Sequence, residues 1–100
     1  MTIEYIAAIN EDDYKTFKMI VTTELPSDFA MWLRVREKGK LRAFKERGVT
    51  FDEVEVSPIE FGVYCKALRR PDFSIVSLDQ CARAKATTEA SAIYDAPPEV

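Results

Sequence analysis

Basic side chains crowd into one stretch of the chain, MWLRVREKGKLRAFKERG, which runs from Met31 to Gly48. The part between Arg34 and Arg47 holds seven basic and two acidic residues, a local charge of +5 in a protein whose formal net charge is -3. Side chains of this kind bind phosphate groups, or they line a solvated helix whose aliphatic stems cover apolar surface. The first use predicts a nucleic-acid interface, and the second predicts a structural helix.

The chain has no histidine, and this removes several classes of catalytic site. Ser-His-Asp and Cys-His arrangements and histidine-ligated metal sites are impossible. The three glycines form neither a dinucleotide-binding loop nor a Walker loop. The acidic clusters Glu11–Asp13 and Asp52–Glu55 are explained by a helix start and a strand edge. We therefore expect a protein that is not an enzyme and has no catalytic residues, metal or cofactor.

Cys65 and Cys81 are too few for a disulfide framework and lack the C-x-x-C spacing of redox and metal sites. Reduced thiols packed as small apolar groups are the favoured interpretation, and a disulfide, which the cytosol disfavours, is the alternative. The N-terminal residues show no signal-peptide pattern, and no apolar run reaches the length of a membrane span. We expect a cytoplasmic protein without a membrane partner.

The length of 100 residues, with 47% apolar and 31% charged side chains, is typical of one compact domain. We expect residues 1–90 to form this domain. The segment 91–100 contains two prolines and no apolar periodicity. It is predicted to be a flexible C-terminal tail.

The N-terminal third of the chain predicts a strand and then a helix. Thr2–Ile9 is rich in β-branched and aromatic residues without a helical stripe, which favours a strand. Asn10 and the acidic residues after it form a helix start, so a helix is predicted over 11–23. The β-forming residues within 16–22 leave a strand there as the alternative.

A long helix is predicted over 28–47, with Ser27 as its N-cap and Gly48 as its left-handed C-cap. Gly39 lies inside this segment and disfavours helix by about 1 kcal/mol relative to alanine, so two helices broken there are the alternative. Val49–Val56 follows as a strand in which neither face is cleanly apolar. Such a pattern indicates an edge strand or a bulge.

Two capping boxes mark the last two helices. Ser57, Pro58 and Glu60 begin a helix that extends to Arg69 or Arg70. Ser77 and Gln80 have the same spacing, which predicts a last helix over 78–90.

Together these signals predict an α+β fold, mostly helical, in which about four helices accompany two or three short strands that form a small sheet. The long helix should pack across that sheet. The predicted core consists of Ile6, Ile9, Phe17, Ile20, Val21, Leu33, Leu41, Phe44, Phe61, Val63, Leu68 and Leu78. We expect truncation of Leu33 or Phe44 to destabilise the fold by a few kcal/mol.

On a helical wheel the cations of the long helix form two groups beside the apolar face. One stripe is the candidate binding face and consists of Arg34, Lys38, Arg42 and Lys45. The other flank carries Arg36, Lys40 and Arg47. In the structural interpretation these cations face solvent or acidic segments of the same or a neighbouring subunit.

Met31 and Trp32 at the start of the long helix are explained either by core packing or by a subunit interface, where aromatic side chains, Met and Arg are enriched. The leading functional hypothesis is a small interaction or adaptor protein that forms a symmetric homodimer through this helix. Its partner would then be a second copy or another protein. The alternative hypothesis is a nucleic-acid-binding accessory protein that uses the basic stripe, and a small enzyme is a third class.

Overall fold

The computed structural model describes the backbone of residues 2–95 and the side chains of residues 2–88. In that range the chain forms two strands and four α-helices, with a short 3-10 helix before the first α-helix. The elements are β1 (Thr2–Ala8), α1 (Tyr14–Ile20), α2 (Phe29–Arg47), β2 (Val49–Glu55), α3 (Pro58–Ala67) and α4 (Ile75–Asp95). The prediction of a mostly helical α+β fold with a small sheet is confirmed.

The two strands pair in parallel, with a continuous register from Thr2 opposite Val49 to Ala8 opposite Glu55. Parallel strands need a crossover connection, and here α1 and α2 supply it. Helix α2 packs against β2, and α4 packs mainly against β1. Since the sheet has two strands, β2 is an edge strand, as its pattern predicts, and the continuous register excludes the bulge.

Helix α2 is unbroken through Gly39, so the alternative of two helices is wrong. Its N-cap is Asp28, one residue later than predicted, and the Asp28 carboxylate accepts the Met31 N–H at 2.8 Å. Gly48 ends the helix at a φ of 65°, in the left-handed region that side chains with a Cβ disfavour. The predicted C-cap is therefore confirmed.

The first helix is shorter than predicted. Asn10 accepts the Asp12 N–H at 2.9 Å and caps a 3-10 helix over Glu11–Asp13, from which α1 continues to Ile20. The helical interpretation is confirmed, and the alternative strand is absent from this segment of the described chain.

Helix α3 begins with the predicted capping box, in which Ser57 and Glu60 accept each other's backbone N–H groups. Helix α4 begins three residues earlier than predicted, because the Ser74 hydroxyl accepts the Ser77 N–H at 3.3 Å and Ser77 lies inside the first turn. The predicted capping box at Ser77 is wrong. The predicted tail at 91–100 overlaps the end of α4, and residues 96–100 lie outside the described part of the chain.

The core lies where α1, α3 and α4 meet the C-terminal half of β1 and the end of β2. Six predicted core residues are buried, namely Ile6, Ile9, Phe17, Val21, Phe61 and Leu78. Ile20 and Leu68 are partly buried.

The core prediction is wrong for four residues that are exposed, namely Leu33, Leu41, Phe44 and Val63. Three of them belong to α2, which turns a different side inward. Trp32 and Ala43 face the core instead. Ala43 is buried on this inward side without belonging to the core cluster, and the apolar stripe that the wheel selects is left on a flank.

Candidate interaction surfaces around helix α2

Arg36 holds α2 against the rest of the fold. Its two terminal nitrogens donate to the Asp79 carboxylate on α4 at 2.9 and 3.1 Å, and its guanidinium lies 4.3 Å from the centre of the Trp32 ring. Asp79 Oδ1 also accepts the Ala7 N–H at 2.9 Å. This N–H points away from β2, so the Asp79 carboxylate satisfies a backbone donor that would otherwise be unpaired on the outer edge of β1.

Lys40 has a second structural role. Its ammonium group pairs with Glu37 one turn earlier, at 2.6 Å, and with Glu53 on β2. Hydrogen bonds from Lys40 to Glu37 and Glu53 raise the pKa of Lys40. For Arg36 and Lys40, the structure therefore agrees with the interpretation that cations of the helix meet acidic groups of the same subunit.

The candidate binding stripe lies on the solvent side of α2. Arg34, Lys38, Arg42 and Lys45 are all exposed. Within the described side chains, none of the four forms an ion pair. The stripe is therefore a run of cations about three helical turns long, with its charge available to a partner.

Beside this stripe lies an apolar flank that the sequence assigned to the core. Leu33, Leu41 and Phe44 are 46%, 58% and 50% exposed. Leu41 and Phe44 line a cleft of about 180 Å³ together with Val49 and Phe51 of β2. We call this surface, formed by Leu33, Leu41, Phe44 and Phe51, the α2–β2 surface.

Met31 and Trp32 are adjacent in sequence but point to different sides of α2. Met31 is 42% exposed, whereas Trp32 is 2% exposed and packs with Tyr14 at 6.1 Å between ring centroids. Core packing therefore accounts for Trp32, and in this subunit its ring is not presented to a partner. Met31 remains on the surface, on the side of α2 away from Leu41 and Phe44.

The opposite flank of α2 borders a larger cavity of about 660 Å³, which we call the α2 groove. Its apolar lining includes Ile6 and Phe51 from the two strands and Trp32 from α2, and its charged lining includes Arg36 and Lys40. Sequence reasoning missed this cavity because its walls come from segments far apart in the chain. The alternation of apolar residues in any single element gives no signal for it.

Metal ligands and reactive thiols are two kinds of site that can be checked among the described residues. They contain no cluster of three or more Cys, Asp or Glu side chains that could hold a metal ion. Both cysteines are free and buried. Burial raises the pKa of Cys65 to about 11 and also raises the pKa of Cys81, so neither thiol is a nucleophile near neutral pH.

Comparison with protein-family models, with curated protein sequences and with solved structures gives no match. Among the described helices, none combines the length and the apolar character needed to cross a bilayer. What the chain binds has to be inferred from its own surfaces.

Proposed function

We propose that this protein is a small non-enzymatic interaction protein that forms a homodimer through the α2–β2 surface. The observation that carries the proposal is the half-exposure of Leu33, Leu41 and Phe44 along one flank of α2, beside the basic stripe. Leu41 and Phe44 share one cleft, and Leu33 lies two turns away with Glu37 between; exposed apolar side chains with such a polar rim are typical of protein–protein interfaces. A partner that covers them would remove apolar area from water, which favours association.

The charge around the α2–β2 surface favours a second copy as the partner. On one side lies the basic stripe, and on the other β2 exposes Asp52, Glu53 and Glu55. A two-fold contact brings the basic helix of one copy towards the acidic strand of the other, twice in each dimer. Such complementarity fixes orientation and steers the encounter, while the apolar contacts supply the affinity.

Light scattering of the purified protein at micromolar concentration tests the dimer. We expect a mass near twice the monomer mass of 11.4 kDa. Leu41→Glu and Phe44→Glu place a charge in the interface and should each give a monomer. Val63→Glu on α3, an equally exposed position outside the surface, is the matched control and should remain dimeric. A wild-type mass of one subunit that does not change on tenfold concentration would overturn the proposal.

Nucleic-acid binding is the second candidate function, favoured by the four exposed cations of the basic stripe, which form no ion pair with any side chain in residues 2–88. Their spacing along α2 lets them contact successive phosphates without reading base sequence. We expect binding to duplex DNA at low salt that weakens steeply as the salt concentration rises.

A quadruple alanine variant of Arg34, Lys38, Arg42 and Lys45 tests this candidate. The slope of log affinity against log salt concentration should become shallower by about one for each cation that contacts a phosphate. The control removes four exposed cations elsewhere, namely Lys15, Lys66, Arg69 and Arg70. Equal loss in both variants would show that net charge alone is responsible, and no binding at low salt would exclude this function.

A further inference from the structure

The α2 groove has the size and the lining of a small-molecule site. Its volume of about 660 Å³ falls within the range of ligand cavities, roughly 300 to 1,000 Å³. The base is apolar, with Ile6 and Phe51 from the sheet and Trp32 and Ala43 from α2. The lining follows α2 from Trp32 to Arg47, a helix length of about 22 Å. A groove of this shape suits a long, narrow molecule better than a compact ring.

The charged groups of the groove favour an anion. Arg36, Lys40 and Arg47 line it, against one acidic side chain, Glu24. Arg36 and Lys40 are paired with carboxylates, whereas Arg47 forms no ion pair among the described side chains. Arg47 stands at one end of the groove, where a single anionic group could meet it.

A second observation concerns Arg36. Its terminal nitrogens are bound by Asp79, but its Nε is buried and has no acceptor among the described residues. A buried donor without an acceptor is unfavourable, and such atoms in native proteins are usually satisfied by water or another group. Arg36 lies about 16 Å along α2 from Arg47, so this donor marks a polar point of the groove that is separate from an anion at Arg47.

We propose that the α2 groove binds an amphipathic carboxylate with a long unbranched chain. The chain lies along the groove over Val35 and Phe51, with the buried Ile6 and Trp32 beneath it, and the carboxylate lies near Arg47. Each buried methylene adds to the hydrophobic contribution, so affinity grows steeply with chain length. The groove and the α2–β2 surface share Phe51, so dodecanoate binding is also measured on the monomeric Leu41→Glu variant, which separates it from dimer formation.

Trp32 provides a built-in reporter, because it is the only tryptophan of the chain and borders the groove. Dodecanoate, titrated below its micelle concentration, should change the tryptophan emission saturably. Decanoate should bind about tenfold more weakly, the effect expected for two methylenes. Dodecanol should also bind about tenfold more weakly, because it lacks the charge-assisted hydrogen bond. Dodecyltrimethylammonium should bind more weakly still.

Two variants locate the site. Gly39→Leu puts a side chain into the groove at a position where an added Cβ meets nothing within 4 Å, and leucine also has the higher helix propensity, so the fold should be preserved. We expect this variant to lose dodecanoate binding. Ala30→Leu, at an exposed position of α2 outside the groove, is the matched control and should bind as the wild type does.

Arg47→Gln should weaken dodecanoate binding about tenfold, whereas Arg42→Gln on the solvent side of α2 should leave it unchanged. Equal affinity for dodecanoate and dodecanol would overturn the assignment of an anion. Unchanged binding by Gly39→Leu would overturn the assignment of the groove. Anionic phospholipid vesicles, titrated in the same way, should give no emission change, and an equal response would show a lipid surface in place of a free carboxylate.

Discussion

Asp79 on α4 connects three elements through its carboxylate. It accepts hydrogen bonds from Ala7 on β1 and from both terminal nitrogens of Arg36 on α2. Side chains of Arg36 and Asp79 are 17% and 30% exposed, so water screens the pair only in part. One carboxylate therefore fixes the positions of α2 and α4 relative to the edge of β1.

We expect Asp79→Ala to lower the free energy of unfolding by about 2 kcal/mol, below the 3 to 5 kcal/mol of a fully buried broken pair because the site is partly solvated. Urea denaturation measures this change. Glu37→Ala, which removes a surface ion pair with Lys40, is the control and should change stability by less than about 0.5 kcal/mol. A loss of similar size in both variants would mean that Asp79 has no special structural role.

Cys65 makes stability depend on pH in the alkaline range. Burial raises the pKa of its thiol from 9.0 to about 11 in the folded state. Between these values the unfolded thiol has lost its proton and the folded thiol has kept it, so the folded state binds more protons. The contribution is complete below pH 9 and is lost as the pH rises through the folded-state value.

We expect the stability difference between wild type and Cys65→Ala to shrink by about 2 kcal/mol from pH 8.5 to pH 11. Urea denaturation of both proteins at each pH measures it, and their comparison cancels the titration of other groups. Cys65 should also resist alkylation by iodoacetamide at pH 8 until urea unfolds the chain. Rapid alkylation of the native protein would show that the thiol is accessible.

Helix α2 shows which element-level features can be predicted from sequence and which cannot. Its end at Gly48 and the start of α3 at Ser57 follow from local capping chemistry, which involves residues within one turn. Its inward face does not, because the partners of Arg36 and Lys40 are Asp79 and Glu53, far along the chain. The most apolar stripe of a helix therefore does not identify its inward face when cations on another side pair with carboxylates of other elements.

The inward face of α2 can be tested by two truncations of aromatic side chains. Trp32→Ala should lower the free energy of unfolding by about 3 to 5 kcal/mol, as for a buried aromatic residue. Phe44→Ala should lower the stability of the monomer by about 1 kcal/mol, since half of its side chain is exposed. Urea denaturation at low protein concentration measures both losses in the monomer. Equal losses of unfolding free energy in the two variants would show that Phe44 belongs to the core.

At the scale of the whole molecule, the α2–β2 surface and the α2 groove arise because the described sheet has two strands. The described two-stranded sheet leaves both flanks of α2 partly uncovered, one beside the edge of β2 and the other over the groove between the sheet and the connecting segments. The basic stripe could be predicted because its members lie on one helix. The α2–β2 surface and the α2 groove could not, because each combines a flank of α2 with a strand.

Thermal stability should report dimer formation independently of light scattering. When folding is coupled to association, the melting temperature rises with protein concentration, because dilution favours the unfolded chains. We expect the wild-type melting temperature to rise by a few degrees for each tenfold increase in concentration, since a tenfold change corresponds to about 1.4 kcal/mol per dimer. Leu41→Glu should lose this dependence, and Val63→Glu should retain it, because only Leu41 lies in the α2–β2 surface. A wild-type melting temperature that stays constant over a hundredfold range of concentration would show that the apolar flank of α2 is not covered by a second copy.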